Sequence, residues 1–244
     1  MAGRPRGRIS GFLSLKAEPF GDAIPVRIQR NKQAKRLILR ADTARGEAVV
    51  TCPTWVSKAE ALDFATNQST WIAQQIAQAP KPRPFAAGAT IPFLGQDHMI
   101  RHRPTARGGV WWEDGEIHVT GRIEHLPRRV EGWLKREARR QIAPRVAIAA
   151  EQFRVKPGRI VIRDTRTRWG SCAWDGTLSF CWRLVLAPED VLNYVVVHEV
   201  AHLAEYNHSP KFWRLVDRLV DDVPRHREWL NENGPALHMI GTAP

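Results

Sequence analysis

Few cysteines and the absence of a long apolar run restrict the class of protein that this sequence can encode. The 244 residues include three cysteines, Cys52, Cys172 and Cys181. An odd number in a chain of this size does not form a disulfide framework and suits a reducing compartment, so we expect a cytoplasmic protein. No apolar run approaches the roughly 20 residues that cross a bilayer, and we expect no membrane partner. The basic first ten residues, expected to be a loose tail, lack the apolar segment of a signal peptide.

The sequence also lacks a nucleic-acid reader motif, a glycine-rich phosphate loop and an internal repeat. It has instead an excess of positive charge, because 37 Lys and Arg against 25 Asp and Glu give a formal net charge of +12. Such a charge attracts acidic partners, including nucleic acid and nucleotides. The basic residues are spread along the chain and no reader motif accompanies them, so an acidic partner stays an alternative.

Alternating apolar residues predict β-strands in two stretches of the first half. They recur over residues 24–51 and again over residues 90–120, where we expect a small antiparallel sheet. Between these stretches, Ser57 with Glu60 three residues later has the spacing of a capping box. The apolar pattern that follows predicts one helix to about Gln78. The first half is therefore predicted to be β-rich with a single helix.

The second half combines long helices with two strands. A long amphipathic helix is predicted from Pro127, alternating strands follow at Arg159–Asp164 and Thr177–Leu186, and helices complete the chain. The Asp-Gly pair and further glycines between the two strands are typical of a hairpin connection. We therefore predict an α+β fold in which residues 1–125 form a β-rich module and residues 126–244 form a second domain.

The most informative motif is HEVAH, residues 198–202. His198 and His202 are four apart, and because a helix has 3.6 residues per turn, both imidazoles project from one face and can share a zinc ion. Glu199 is rotated by about 100° and lies beside the ion, where it can take a proton from a zinc-activated water molecule. The surrounding helix is apolar on nearly every side, so these polar groups would be costly to bury without a partner.

Two residues are candidates for a third zinc ligand, which a catalytic zinc with one open position usually has. Glu205 follows His198 by seven residues, but on a straight helix it lies about 10 Å farther along the axis. His208 can reach the ion if the helix ends near Asn207, a residue that tolerates the left-handed conformation of such turns. We therefore favour His208 as the ligand and place Glu205 outside the coordination sphere.

Four motifs carry a resemblance to a known family. They are RWGSC (residues 168–172), WRL (residues 182–184), HEVAH and NHSPKFW (residues 207–213). With them, the chain resembles the YgjP-like metallopeptidases, relatives of the SprT-like and other zincin proteins, over nearly its whole length. The resemblance implies a zincin-like domain in which His198, His202 and His208 bind zinc and Glu199 is the catalytic base.

The motif and the resemblance together predict a zinc metallopeptidase that hydrolyses peptide bonds in peptide or protein substrates. In zincins an edge strand of a sheet aligns the peptide, and Thr177–Trp182 is the expected strand. Arg168 and Arg183 are candidates for holding the substrate or stabilising negative charge. A structural ion pair is the alternative for each of these arginines.

Two other functions stay open at this point. Metal-dependent hydrolysis of a nucleotide or another phosphate ester agrees with the positive charge. However, a single site of three histidines is unlike the carboxylate-rich, often two-metal centres of phosphoryl transfer. The third function is that of a DNA-associated protease or binding protein, which requires DNA binding that weakens steeply with salt.

Overall fold

The computed structural model of the protein describes residues 9–16, 23–42 and 46–242. The chain divides into two compact units, residues 1–80 and residues 81–244. Helices and sheets occur in both units, which confirms the predicted α+β class. Of the predicted basic tail, residues 1–8 lie outside the described residues, and the strand that follows them starts at Ile9.

A four-stranded sheet and two helices form the first unit. Its strands are β1 (Ile9–Lys16), β2 (Ala23–Arg30), β3 (Ile38–Asp42) and β4 (Glu47–Cys52). They lie in the order β1-β2-β4-β3, with β2 and β4 parallel and the other neighbours antiparallel. Helices α1 (Lys58–Thr66) and α2 (Ser69–Ala77) pack against the sheet, and their buried apolar side chains share one core with it.

The capping box predicted at Ser57 is present at the start of α1. The Ser57 Oγ accepts a hydrogen bond from the Glu60 backbone N–H at 3.1 Å, and the Glu60 carboxylate accepts one from the Ser57 N–H at 2.9 Å. The single helix predicted to about Gln78 is interrupted at residues 67–68. Just before the break, the Thr66 hydroxyl donates to the carbonyl four residues earlier, a contact that bends helices.

The second unit begins with a sheet of the same strand order. Its strands are β5 (Thr90–Phe93), β6 (Gln96–Arg103), β7 (Val110–Glu113) and β8 (Glu116–Thr120). The order is β5-β6-β8-β7, and β6 and β8 run parallel, so the predicted sheet is present but mixed rather than antiparallel. The shared topology arises in a chain whose sequence shows no internal repeat.

Helix α3 (Leu126–Phe153) corresponds to the long amphipathic helix predicted from Pro127. Its buried face, which includes Leu134 and Ile142, joins a core that also contains Ile117 of β8 and many side chains from the C-terminal elements. Residues on both sides of position 125 therefore contribute to one hydrophobic core. The domain boundary predicted between residues 125 and 126 lies between segments that share this core.

A three-stranded sheet follows α3. Its strands are β9 (Ile160–Arg163), β10 (Gly170–Cys172) and β11 (Leu178–Cys181), in the order β10-β11-β9. The hairpin connection joins β10 to β11, whereas β9 lies parallel to β11. The expectation that Thr177–Trp182 is the edge strand is therefore wrong, because β9 pairs with its second edge. The predicted strand is also shorter, since Trp182–Leu186 form a fully buried 3₁₀ helix.

The last three helices are α4 (Glu189–Ala201), α5 (Pro210–Val216) and α6 (Val223–Met239). Helix α4 contacts α3, α5, α6 and β10, which explains why a helix that is apolar on nearly every side is stable there. The β5–β6 turn packs against the segment before α4, where the Leu94 N–H donates to Val185 O of the 3₁₀ helix at 2.8 Å. The adjacent Gly95 has no room for a side chain, because a Cβ would lie 2.8 Å from Pro188 Cα. In the described part of the chain, no helix has both the length and the apolar character that a membrane crossing needs.

Candidate metal centre

The HEVAH motif lies at the C-terminal end of α4, and the helix ends earlier than the spacing argument assumes. The last helical residue is Ala201, and His202 is the C-cap. The chain then tightens, because the Leu203 N–H donates to the carbonyl three residues earlier and the next residue does the same. Asn207 does not have a positive φ, so the expected left-handed turn residue is not used. The shorter helix lets residue 208 return towards α4.

The structure brings the imidazoles of His198, His202 and His208 together. One ring nitrogen from each lies within 4.8 Å of the others, and the Nε2 atoms of His198 and His208 are 3.1 Å apart. Two tetrahedral ligands, each about 2.0–2.1 Å from a zinc ion, have nitrogen atoms about 3.3 Å apart. The three side chains therefore have the donor type and the spacing of a zinc site.

The lowered pKa values of His198 and His202 also fit a metal. Burial, followed by the unfavourable electrostatic effect of the neighbouring His202 and His208 imidazoles, lowers the pKa of His198 to about 4. Burial also lowers the pKa of His202, whose Nδ1 lies 3.2 Å from the Glu205 carbonyl oxygen, a contact that leaves Nε2 for an ion. The Nδ1 atom of His198 is buried without a hydrogen-bond partner in the described residues. Neutral imidazole is the form that binds metal, so the residues present fit a zinc ion.

Helix α5 supplies an aromatic base beneath the three rings. The fully buried Phe212 ring has its centroid 4.9, 4.6 and 4.8 Å from the rings of His198, His202 and His208, respectively. Trp213 stacks on His208 at 5.6 Å. These contacts limit the orientations that the imidazoles can adopt. Sequence reasoning missed this role, although both aromatic residues belong to the NHSPKFW motif.

Glu199 is buried beside the histidines against strand β10. Glu199 is only 7% exposed. Burial raises the pKa of its carboxyl group to about 7, and the positive charge of Arg168 acts to lower that pKa. A Cβ atom on Gly170 would lie 2.5 Å from the Glu199 Cγ and 2.6 Å from its Oε1. Gly170 therefore leaves the space that the carboxylate occupies, and the exposed Arg168 provides positive charge nearby.

Arg183 and Glu205 do not join this cluster. The Arg183 guanidinium is buried, forms an ion pair with Asp164, and lies over the Trp182 ring at 4.3 Å. The Arg183 contacts are those of a structural residue, which was the alternative raised from the sequence. Glu205 contributes its carbonyl oxygen to His202, and its carboxylate is outside the group of metal-binding atoms.

Arg227 of α6 is a charged neighbour that sequence reasoning missed. Its Cζ lies 5.9 Å from the Trp213 ring centroid, and Trp213 in turn lies beside His198 and His208. Arg227 also contributes to the lowered pKa of His198. No ion-pair partner for Arg227 occurs among the residues that the structure describes. No sequence signal marks it, because it lies on a separate helix with ordinary arginine-rich surroundings.

Comparisons with known proteins relate the chain to one family. Residues 35–233 match the family model described as YgjP-like, metallopeptidase domain. Among solved structures, the chain is similar to the crystal structure of the metallopeptidase zymogen of Pyrococcus abyssi abylysin. The identity is 22%, over 37% of this chain and 90% of that chain, with a TM-score of 0.33. Similarity at that score does not define a shared fold. No curated protein matches the chain.

Replacing the third histidine tests the centre against the alternative ligand. His208→Ala should weaken zinc binding by more than about 100-fold. Loss of a side chain that only hydrogen-bonds to a metal ligand costs up to about 100-fold, and loss of the ligand itself should cost more. Glu205→Ala should leave zinc affinity within a fewfold of the parent. Metal content after gel filtration and competition with a chelator measure both variants. Loss of zinc from Glu205→Ala with retention in His208→Ala would reverse the assignment.

Proposed function

Since the chain belongs to the YgjP-like metallopeptidase family, we propose that it is a zinc peptidase whose metal is held by His198, His202 and His208. The family model covers most of the chain, and membership supports a peptidase acting on peptide or protein substrates. The observation that carries the zinc assignment is the convergence of three imidazoles beside a buried carboxylate. We assign catalysis to residues 126–244, because α4, β10, α5 and α6 all lie in that range.

Glu199 is the proposed general base. A bound zinc ion supplies Lewis-acid polarisation of the scissile carbonyl and lowers the pKa of water. The Glu199 carboxylate accepts the proton of the attacking water and delivers it to the leaving amine. Burial, which raises the Glu199 pKa to about 7, supports this role, because it makes the carboxylate a stronger proton acceptor than an exposed one. Gly170 leaves the space that this carboxylate occupies.

The substrate peptide is proposed to bind along the free edge of β10. Bonds from Ala173 N–H to Thr177 O and from Cys181 N–H to Trp169 O flank the β10–β11 pair. Hydrogen bonds alternate along an antiparallel pair, so the backbone groups of Gly170 and Cys172 point away from β11. No described strand pairs with that edge. A peptide added there passes Gly170 and therefore passes the Glu199 carboxylate.

Two arginines are proposed to act on charge at the site. The Arg227 guanidinium lies near the Trp213 ring, and Trp213 stacks on His208 of the histidine cluster. This position supports a role in stabilising negative charge on the scissile carbonyl oxygen. Arg168 is exposed and close enough to oppose the rise in the Glu199 pKa, which supports contact with an acidic group of the substrate. Arg183 is assigned to structure because its guanidinium is buried with Asp164.

The two other functions have less support. Phosphate-ester hydrolysis commonly uses a carboxylate-rich, two-metal centre, whereas the metal-binding group found in the described residues contains three histidines and no carboxylate. A nucleic-acid partner rests on the net charge of +12. It stays a prediction that DNA titrations over a range of salt concentrations can test.

The Glu199→Gln variant tests the peptidase proposal most simply. The amide cannot accept the proton, so hydrolysis of unfolded casein should fall by about 100- to 10,000-fold, while zinc content stays stoichiometric. Gly170→Ala should also keep zinc and lose most turnover, because the new Cβ displaces the carboxylate. Glu205→Gln is the matched control and should hydrolyse casein at the parent rate. Parent-level turnover by Glu199→Gln would reject the assigned base.

Arg227→Ala tests the proposed stabilising charge. Loss of a donor to the developing oxyanion costs about 100- to 1,000-fold in kcat in acyl-transfer enzymes, so we expect a fall in kcat of that order with little change in KM. Arg225→Ala removes another exposed arginine of the same helix and should leave both constants unchanged. Steady-state kinetics with one peptide substrate measures both variants, and equal kcat values would exclude the role.

A further inference from the structure

Trp174 and Tyr206 form an exposed aromatic pair near the metal centre. Trp174 is 84% exposed and Tyr206 is 52% exposed. Their ring centroids are 4.3 Å apart with an interplanar angle of 28°, so the rings are stacked on each other. Stacking is one of the arrangements that aromatic pairs prefer. Here it leaves the outer faces of two large rings open to solvent.

The β10–β11 turn holds Trp174 in place. The Gly176 N–H donates to Ala173 O at 2.9 Å, the Ala173 N–H donates to Thr177 O at 3.0 Å, and the Asp175 carboxylate accepts from the Thr177 N–H at 2.9 Å. Gly176 has a φ of +77°. This is a tight hairpin loop that ends in a left-handed glycine. Trp174 is therefore presented by a well-bonded turn.

Tyr206 belongs to the loop that connects two of the proposed metal ligands. It lies in the short segment between His202 and His208, and the carbonyl of the preceding residue, Glu205, contacts the His202 Nδ1 at 3.2 Å. The aromatic pair therefore joins the end of the edge strand β10 to the segment that carries two of the proposed zinc ligands.

The pair lies within reach of a peptide bound along β10. Strand residues rise about 3.3 Å each, so the end of β10 at Cys172 is about 7 Å from Gly170, which borders the Glu199 carboxylate, and Trp174 follows in the turn. A peptide passing the carboxylate at Gly170 thus reaches the rings two to four residues farther on. Antiparallel pairing is the more stable arrangement, and in that direction the peptide approaches the rings with its N-terminal side.

We propose that Trp174 and Tyr206 form a substrate subsite that binds a large apolar side chain two to four residues N-terminal to the scissile bond. The inference rests on the proposed peptidase function. The ring faces offer apolar contact area, which favours Phe, Trp, Leu or Met in the substrate. Asp175 and Glu205 adjoin the two aromatic residues in the sequence, and these carboxylates disfavour a phosphate-bearing ligand such as a nucleotide.

Cleavage-site profiling tests the subsite. The zinc-loaded parent, Trp174→Ala and Tyr206→Ala would each digest a mixed peptide library, and mass spectrometry would identify the cleavage sites. The parent should favour large apolar residues at one position in the stated range. Either variant should lower kcat/KM about 3- to 10-fold for a Phe-containing peptide relative to its Ala counterpart, mainly through KM. Trp174→Phe should restore the preference.

Trp55→Ala is the matched control, because Trp55 is 75% exposed and lies in the unit formed by residues 1–80. It should leave the profile unchanged. If the parent cleaves peptides and both site variants keep its profile, the subsite is overturned while the peptidase function stands. A preference for Lys or Asp at the same position would also overturn the apolar assignment.

A binding measurement separates the two proposals if the parent cleaves nothing. Calorimetric titration of zinc-loaded Glu199→Gln protein would use two blocked hexapeptides, Ac-GAFAGA-NH2 and Ac-GAAAGA-NH2. The subsite is supported, even without turnover, if the Glu199→Gln protein binds the Phe peptide more tightly than the Ala peptide. This difference should disappear when Trp174→Ala is combined with Glu199→Gln. Equal binding of the two peptides overturns it.

Discussion

The site depends on one constraint, which is that helix α4 is buried on nearly every side. Val195, Val196 and Val197 are all buried, so the polar residues that follow them enter a region with little water. Burial keeps His198 neutral and makes the Glu199 carboxyl more basic, with a pKa of about 7. Buried polar groups without partners are costly. A metal ion shared by three imidazoles would relieve that cost and use both shifted groups.

Separate elements supply the remaining parts of the site. Strand β10 brings Gly170, which leaves room for the carboxylate, and helix α5 brings Phe212 beneath the histidines. Helix α6 contributes Arg227. The motifs that carry the family resemblance therefore converge on one place, except that the WRL segment is structural, with Trp182 and Arg183 buried. The result is a small set of polar groups next to a buried apolar core.

Short-range geometry made the centre of the site predictable from the sequence. The spacing of His198 and His202 follows from the helical repeat, and His208 needed only a turn after the helix. The end of the strand predicted at Thr177–Leu186 was not predictable, because Trp182–Leu186 is buried on all sides and has the apolar pattern of a strand although it forms a 3₁₀ helix. The contacts of Gly170 and Arg227 depend on which elements pack together, and periodicity in one sequence carries no such information.

Zinc-edge X-ray absorption of the zinc-loaded protein tests the central claim most directly. The account predicts one tightly bound zinc ion per chain with three imidazole nitrogens and one further light atom, all about 2.0–2.1 Å from the metal. A sulfur ligand at about 2.3 Å, which would implicate Cys172 or Cys181, or fewer than three imidazoles, would contradict it.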